Sequence, residues 1–387
     1  MKFIIKIFFS TLLILISLLG IYKIVIIPPF YSIFFLIIGL VFLSDLILQA
    51  SFYKTGKNWE TGSEQTNQIN PIKLKKIDYL KALISWIHAF KRTYVLEPGL
   101  YYSGEKYDPD SPLLVTSNYF LSVFLILYNI KKFNVRLLII DTDGINVWCA
   151  AGKGQFSHDK ILKSVEIYKI KLNSSKDKKE KLKMILPKFC LSGVNINILK
   201  KSGIKPIIGP LYAKDLPNYL KNPPYKNRND DRVHFNLKSR TFTWLPGFIQ
   251  FLFYSTGVYF ILWILGVFLG FTAPLGIIYI TVIIATAYPL LFPWIPGKKF
   301  AVKGISLGLL VSLGLIIFTS FAGLSWIDLI TAVIFTLATG IFMGLSYTGN
   351  SAVSNYSRVR KETAQFLPLN VLLYVICFII FIVQGVN

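Results

Sequence analysis

The sequence predicts an α/β unit built on a mostly parallel sheet, set between blocks of membrane-spanning helix. Three observations carry that expectation. The mean hydropathy is +0.55 with 53% hydrophobic residues, which excludes an ordinary soluble domain and a disordered chain. Charge is unevenly spread: 33 of the 42 Lys and Arg and 16 of the 19 Asp and Glu fall in residues 51–245, near +17 net, whereas residues 247–297 carry no charge. Within the charged stretch, apolar runs of strand length alternate with runs of helical period.

A transmembrane helix needs roughly 20 apolar residues. Such runs occupy 7–27, 30–48, 248–269, 274–293, 305–322, 326–347 and 369–386, two before the charged stretch and five after it. The expected organisation is two N-terminal transmembrane helices (1–50), a linker with a basic amphipathic helix (51–93), a water-facing domain (94–245) and a five-helix transmembrane domain (246–387). With seven spans, Lys2, Lys6, the charged domain, Lys298, Lys299, Lys303, Arg358, Arg360 and Lys361 share one side, and the opposite loops hold only Lys23 and Asp328. The positive-inside rule makes this a multi-pass protein of the cytoplasmic membrane with its domain in the cytoplasm. The first span is read as a retained anchor, because no small-residue cleavage site follows it. No span carries an ionisable residue near its middle, which argues against ion-coupled transport.

Pro71 opens a helical pattern with Ile77, Leu80, Ile84 and Ile87 on one face and Lys73, Lys75, Lys76, Lys81, Lys91 and Arg92 on the other. Such a helix lies on anionic lipid or packs on the domain with its basic face solvated. From Leu113 the pattern predicts strands at 113–116, 135–141, 184–187, 205–208, 232–237 and 241–245, with helices at 119–130, 146–153, 158–170, 195–202 and 213–221. Alternation of this kind gives a parallel sheet covered on both faces, with ligands at the carboxyl ends of its strands. The loops to inspect are therefore 116–118, 142–145, 188–193 and 209–211.

No dinucleotide or phosphate-binding glycine fingerprint follows a strand, and no nucleophile–histidine spacing is evident. His88, His158 and His234 are far apart, and Cys149, Cys190 and Cys377 are too few and scattered for a disulfide framework or a CxxC site. Lysine runs such as 176–183 lack interleaved aromatics, so the basic charge reads as a solvated face beside a membrane and not as a nucleic-acid interface.

One loop stands apart: DTDGINVWCAAGKGQF, residues 141–156. Gly144 lets the chain turn, Asn146 can cap a short helix, and Cys149 falls in its first turn, where the helix N-terminus and Lys153 favour a thiolate. A metal ligand, a nucleophile and a buried inert thiol all remain open from the residues alone.

The string NVWCAAGK (146–153) resembles the signature of the mercury-methylating membrane corrinoid proteins, whose soluble domain is similar to the corrinoid domain of the corrinoid iron-sulfur protein large subunit. LEPGLYYSG (96–104), DSPLLVTSNY (110–119), SGIKPIIGPLYAKDLPNYL (202–220) and LLFPWIPGKKFAVKG (290–304) extend the likeness from about residue 94 to the C-terminus. The resemblance implies a Rossmann-like corrinoid-binding domain over 94–245 with cobalt as the metal. It further implies that Cys149 is the lower axial ligand of cobalt and the catalytic residue, and that Asn146, Val147, Trp148, Ala150, Ala151, Gly152 and Lys153 line the lower face of the ring. Thr116, Ser117, Asn118, Gly209 and Pro210, at other strand ends, are further cofactor-contact candidates.

The implied activity is transfer of a cobalt-bound methyl group to Hg(II), giving methylmercury. A methyltetrahydrofolate-linked system is the implied donor, and a ferredoxin-like partner with two [4Fe-4S] clusters the implied reductase, since this chain has too few cysteines to hold clusters. Rival expectations are a paralogue acting on another soft metal or metalloid, and a membrane corrinoid carrier or transport protein. The sequence departs from the family at 187–191, Pro-Lys-Phe-Cys-Leu in place of Pro-Gln-Leu-Gly-Ala, at Phe120 in place of Lys, and in its two N-terminal spans. Cys190 is expected to face the core.

Overall fold

The computed structural model describes residues 69–87, 94–168, 170, 181–221, 233–269, 276–320, 325–351 and 353–386, with isolated positions before residue 50. The two N-terminal spans, the linker to residue 68, His88 and the lysine run at 176–180 lie outside the described residues. The rest forms two compact units, 69–86 with 94–221, and 233–386 with Ile87.

The first unit is a six-stranded sheet of β1 (Asn70–Pro71), β2 (Gly99–Ser103), β3 (Leu113–Ser117), β4 (Val135–Ile140), β5 (Leu182–Leu186) and β6 (Ile204–Ile208), in the order β1-β2-β4-β3-β5-β6. β4, β3, β5 and β6 are parallel, and β2 runs antiparallel to β4. The helices are α1 (Lys76–Ile87), α2 (Phe120–Asn129), α3 (Val147–Gly152), α4 (His158–Ile167), α5 (Ile196–Lys201) and α6 (Leu216–Lys221).

β3 and β4 are buried along their whole length, as apolar runs covered on both faces should be. Alternation sends Leu113, Val115, Leu138 and Ile140 into one core with Ala150, Ile161 and Leu199, and Leu114, Leu137 and Ile139 into another with Val123, Leu127 and Leu216. α1 packs through Ala82 and Ser85, with Tyr79 edge-on to Phe124 at 5.4 Å. Of the expected apolar stripe, Ile77 and Leu80 stay exposed, whereas Ile84 packs beside Ala82 and Ile87 is half-buried.

The second unit contains α7 (Leu237–Leu269), α8 (Gly276–Leu291), α9 (Phe300–Ser320), α10 (Trp326–Asn350) and α11 (Tyr356–Val386). α7, α9, α10 and α11 are long and apolar enough to cross a membrane. α8 has 16 residues, about 24 Å at 1.5 Å per residue against a hydrocarbon core of about 30 Å. Among the described residues, four of the five expected tail spans are long and apolar enough to cross, and of the one at 274–293 the described helix covers 276–291.

α9 and α10 meet through Gly304 and Gly308 against Gly340 and Gly344: a Cβ on Gly304 would overlap the Gly340 carbonyl, and one on Gly344 would lie 2.5 Å from the Phe300 oxygen. These are two facing GxxxG pairs, the packing that serves helices in lipid. Buried Glu362 caps α9 by accepting from the Phe300 and Ala301 N–H groups at 2.8 and 3.3 Å, and it pairs with Arg358 at 3.1 Å.

Two strand expectations are corrected. Residues 241–245 lie inside α7, and 233–236 form no strand. Thr-Phe-Thr-Trp-Leu favours a strand by side-chain type, but the 33-residue helix it feeds overrides so short a preference. β1 and β2 were not expected. GLYYS opens on a glycine and leaves Tyr101 and Tyr102 half-buried, which weakens the strand pattern. Residues 213–221 break into a 3-10 turn (Ala213–Asp215) and α6.

Candidate functional site

Chain connections leave β3 toward β4 on one side and β5 toward β6 on the other, so the sheet has its switch point at the carboxyl ends of β3 and β5. Crevices of this kind receive ligands in parallel sheets. α3, which follows β4, packs against the end of β3 and against the 3-10 turn after β5, Lys188–Ser192. The NVWCAAGK segment therefore lies at the switch point.

Residues 141–146 turn sharply into α3. Asp143 and Gly144 both take positive φ, 54° and 65°, a conformation that glycine and, less readily, aspartate tolerate. Asn118 holds this turn. Its Oδ1 accepts from the Thr142 N–H at 3.0 Å and the Gly144 N–H at 3.1 Å and lies 2.9 Å from the Thr142 hydroxyl, while its Nδ2 donates to Asp141 at 2.9 Å. Lys160 Nζ donates to the Asp141 carbonyl at 2.9 Å, and Gln155 Nε2 donates to the Asp143 carboxylate. Asn146 caps α3, accepting from the Cys149 N–H at 2.9 Å.

Val147, Ala150 and Ala151 are buried in the sheet core. Their small size serves close seating of the helix: a Cβ on Gly193 would lie 2.6 Å from the Ala151 carbonyl. Asn146, Trp148, Cys149 and Gly152 are half-buried, and Lys153 is exposed at the C-terminal end of the helix. The open part of the motif is thus Trp148, Cys149 and Gly152.

Thr116, Ser117 and Asn118 are buried at the end of β3. Gly209 and Pro210 follow the edge strand β6, where the Gly209 N–H donates to the Leu186 carbonyl at 2.8 Å. No described contact joins them to the Cys149 turn. Cys190 is fully buried, and burial pushes its thiol up to about 12; it faces the core as expected. Among the described residues no group of three or more His, Cys, Asp or Glu could hold a metal ion.

Tyr119 and Ser85 escaped sequence reasoning. The Tyr119 ring is buried, burial pushes its hydroxyl up to about 12, and its charge would interact with Cys149. The hydroxyls of Ser85 and Tyr119 are neighbours that close no hydrogen bond of ordinary geometry, and Ser117 Oγ has no partner among the described residues. A Tyr directly after the Asn that organises the turn was the available signal.

No known family profile matches the chain. Over 127 residues it is 29% identical to the acetyl-CoA decarbonylase/synthase complex subunit gamma of Methanopyrus kandleri, covering 32% of this chain and 26% of that protein. Over 147 residues it is 29% identical to subunit gamma 2 of the same complex in Methanosarcina thermophila, covering 37% and 31%. The subunit gamma of Methanocaldococcus jannaschii is 28% identical over 134 residues. The chain spans about a quarter to a third of the length of the curated relatives it matches. It is distantly similar to a subunit of a decarbonylase/synthase complex.

Proposed function

We propose that this chain is a membrane-anchored corrinoid-dependent methyltransferase whose cofactor is held over Cys149. The observation that carries the reading is one sulfur, the only one of the three thiols that is not buried, on a turn held by Asn118 at the switch point of a parallel sheet. A single protein sulfur suits a metal whose other positions a cofactor fills. The relatives support the same chemistry, because removing a carbonyl from an acetyl group leaves a methyl group to be carried.

The residues present fit a corrinoid. Trp148, Cys149 and Gly152 make a half-open face, with no side chain on Gly152 to obstruct a ring. The buried hydroxyls of Ser85, Ser117 and Tyr119 lack partners among the described residues and can serve polar groups at a macrocycle rim. Val147, Ala150 and Ala151 seat α3, while Asn146 and Lys153 flank the face from its two ends.

When bound, the corrinoid supplies the cobalt that holds and releases a methyl group. Cys149 would offer its sulfur to that cobalt, and a thiolate is a softer, more electron-releasing donor than imidazole. Asn118 is a positioning residue that fixes the turn leading into the helix that carries the sulfur. Thr116 is buried at the same strand end, and Gly209 and Pro210 would be rim contacts.

The acceptor we assign is Hg(II), on the strength of the NVWCAAGK resemblance, with a two-[4Fe-4S] ferredoxin-like reductase and a methyltetrahydrofolate-linked donor as partners. α7, α9, α10 and α11 anchor the chain in the cytoplasmic membrane, with the α/β unit in the cytoplasm, where its basic residues are favoured. One observation favours another soft metal or metalloid: the Lys188–Ser192 turn, where the sequence departs from the family, packs against α3.

Cells expressing this chain with such a reductase are expected to convert Hg(II) to methylmercury, and to stop when either component is lost. Normal corrinoid binding without methylmercury would reject Hg(II) and leave the cofactor reading intact. Restoring Gln-Leu-Gly-Ala at 188–191 then tests whether the turn sets the acceptor.

A further inference from the structure

We infer that the helical unit carries a site for a phosphate-class oxyanion at Arg240, an assignment independent of the corrinoid reading. Arg240 stands in the first turn of α7 and is 3% exposed. Its Nε and Nη1 are nevertheless without hydrogen-bond partners, and no carboxylate pairs with it among the described residues. A guanidinium does not shed its proton, so a buried one calls for an anion or for several acceptors. Its carbon lies 5.1 Å from the centroid of the Trp294 ring and 5.8 Å from that of Phe235. Those rings cover its faces but accept none of its in-plane N–H donors.

Other unpartnered donors gather nearby. Trp244 Nε1, one turn further along α7, is buried without a partner among the described residues, and the buried Tyr347 hydroxyl on α10, a neighbour of the Thr243 hydroxyl, closes no hydrogen bond of ordinary geometry. Tyr347 lies within electrostatic reach of Arg240, and its ring is held against Tyr288 and Phe292 at 5.6 and 5.5 Å. The set is rich in donors and poor in acceptors, the complement of an anion with several oxygens.

Among the described residues of the helical unit no counterion is offered to Arg240. Residues 233–303 and 347–361 contain no Asp or Glu, and Glu362 is engaged by Arg358 and the Phe300 and Ala301 N–H groups. Arg240 and Trp244 precede the long uncharged stretch of α7, the depth at which Trp and Arg meet phosphate headgroups. The phosphate comes from a lipid headgroup or from free solution, and the experiment separates the two.

The full chain, purified in a neutral detergent, is probed with labelled inorganic phosphate by equilibrium dialysis and with phosphatidylglycerol, against phosphatidylcholine, by native mass spectrometry. Saturable binding of one probe is expected, weakened about tenfold in Arg240→Gln and severalfold in Trp244→Phe and Tyr347→Phe, which each keep an aromatic ring but lose the polar donor. Exposed Lys361→Gln is expected to change it less than about twofold. Binding of inorganic phosphate assigns the free anion, and binding of phosphatidylglycerol alone assigns the headgroup. Saturable binding of neither overturns the proposal. If Arg240→Gln does not fold, unchanged affinity in both Trp244→Phe and Tyr347→Phe overturns it as well.

Discussion

The Cys149 turn and the Arg240 cluster are both places where polar groups are buried, and they handle them in opposite ways. Asn118, 2% exposed, uses both ends of its amide on Asp141, Thr142 and Gly144. Arg240, equally buried, leaves Nε and Nη1 unused among the described residues. A buried polar side chain that satisfies itself within the chain is scaffold. One that does not is where a ligand is to be sought. The α/β unit combines both conditions, a satisfied turn beside the unsatisfied hydroxyls of Ser85, Ser117 and Tyr119.

The largest effect breaks the helical side of the comparison. Gly304→Val puts a branched side chain where the Gly340 carbonyl sits, so α9 and α10 must separate. Loss of several kcal/mol is expected, seen as failure to recover monodisperse protein or as a large fall in the thermal midpoint in detergent. A midpoint unchanged within about 2 °C would show that the helices do not depend on this contact.

Next in size is Asn118→Ala, which strands the buried N–H groups of Thr142 and Gly144. The expected cost is about 2–4 kcal/mol, with weakened corrinoid binding because the turn bearing Cys149 loosens. Titration of the purified variant with a corrinoid checks this. Full affinity and full stability together would show that Asn118 is not the organiser of the turn.

A smaller effect separates the thiols. Cys190 is fully buried with its thiol pushed up to about 12, so at pH 8 it stays protonated and closed to reagents. Iodoacetamide on the folded protein is expected to label Cys149 well before Cys190, read by peptide mass spectrometry. Equal labelling would contradict the burial described.

The four parallel strands were legible because they are apolar runs bounded by turn residues, and the Cys149 turn because Gly144 and Asn146 are local signals. What was not legible depends on residues distant in sequence. The Asn118 bonds exist only once β3 and β4 pair with Ser117 opposite Ile140, and Ser85 reaches Tyr119 only when α1 has docked. Thr241 to Leu245 were misread because five residues of strand-forming type cannot announce the long helix that contains them. Arg240 looked like one more cation in a basic flank; nothing local distinguishes a buried guanidinium from an exposed one. The two GxxxG pairs could have been read directly.

The central claim, that Cys149 supplies sulfur to the cobalt of a corrinoid, is tested most directly by the absorption spectrum of the full chain loaded with a corrinoid, beside that of Cys149→Ala loaded in the same way. Circular dichroism on both confirms that the fold survives. The account predicts a sulfur-to-cobalt charge-transfer band in the native protein, its loss in Cys149→Ala, and its retention in Cys190→Ala. A band that persists unchanged in a folded Cys149→Ala would contradict it.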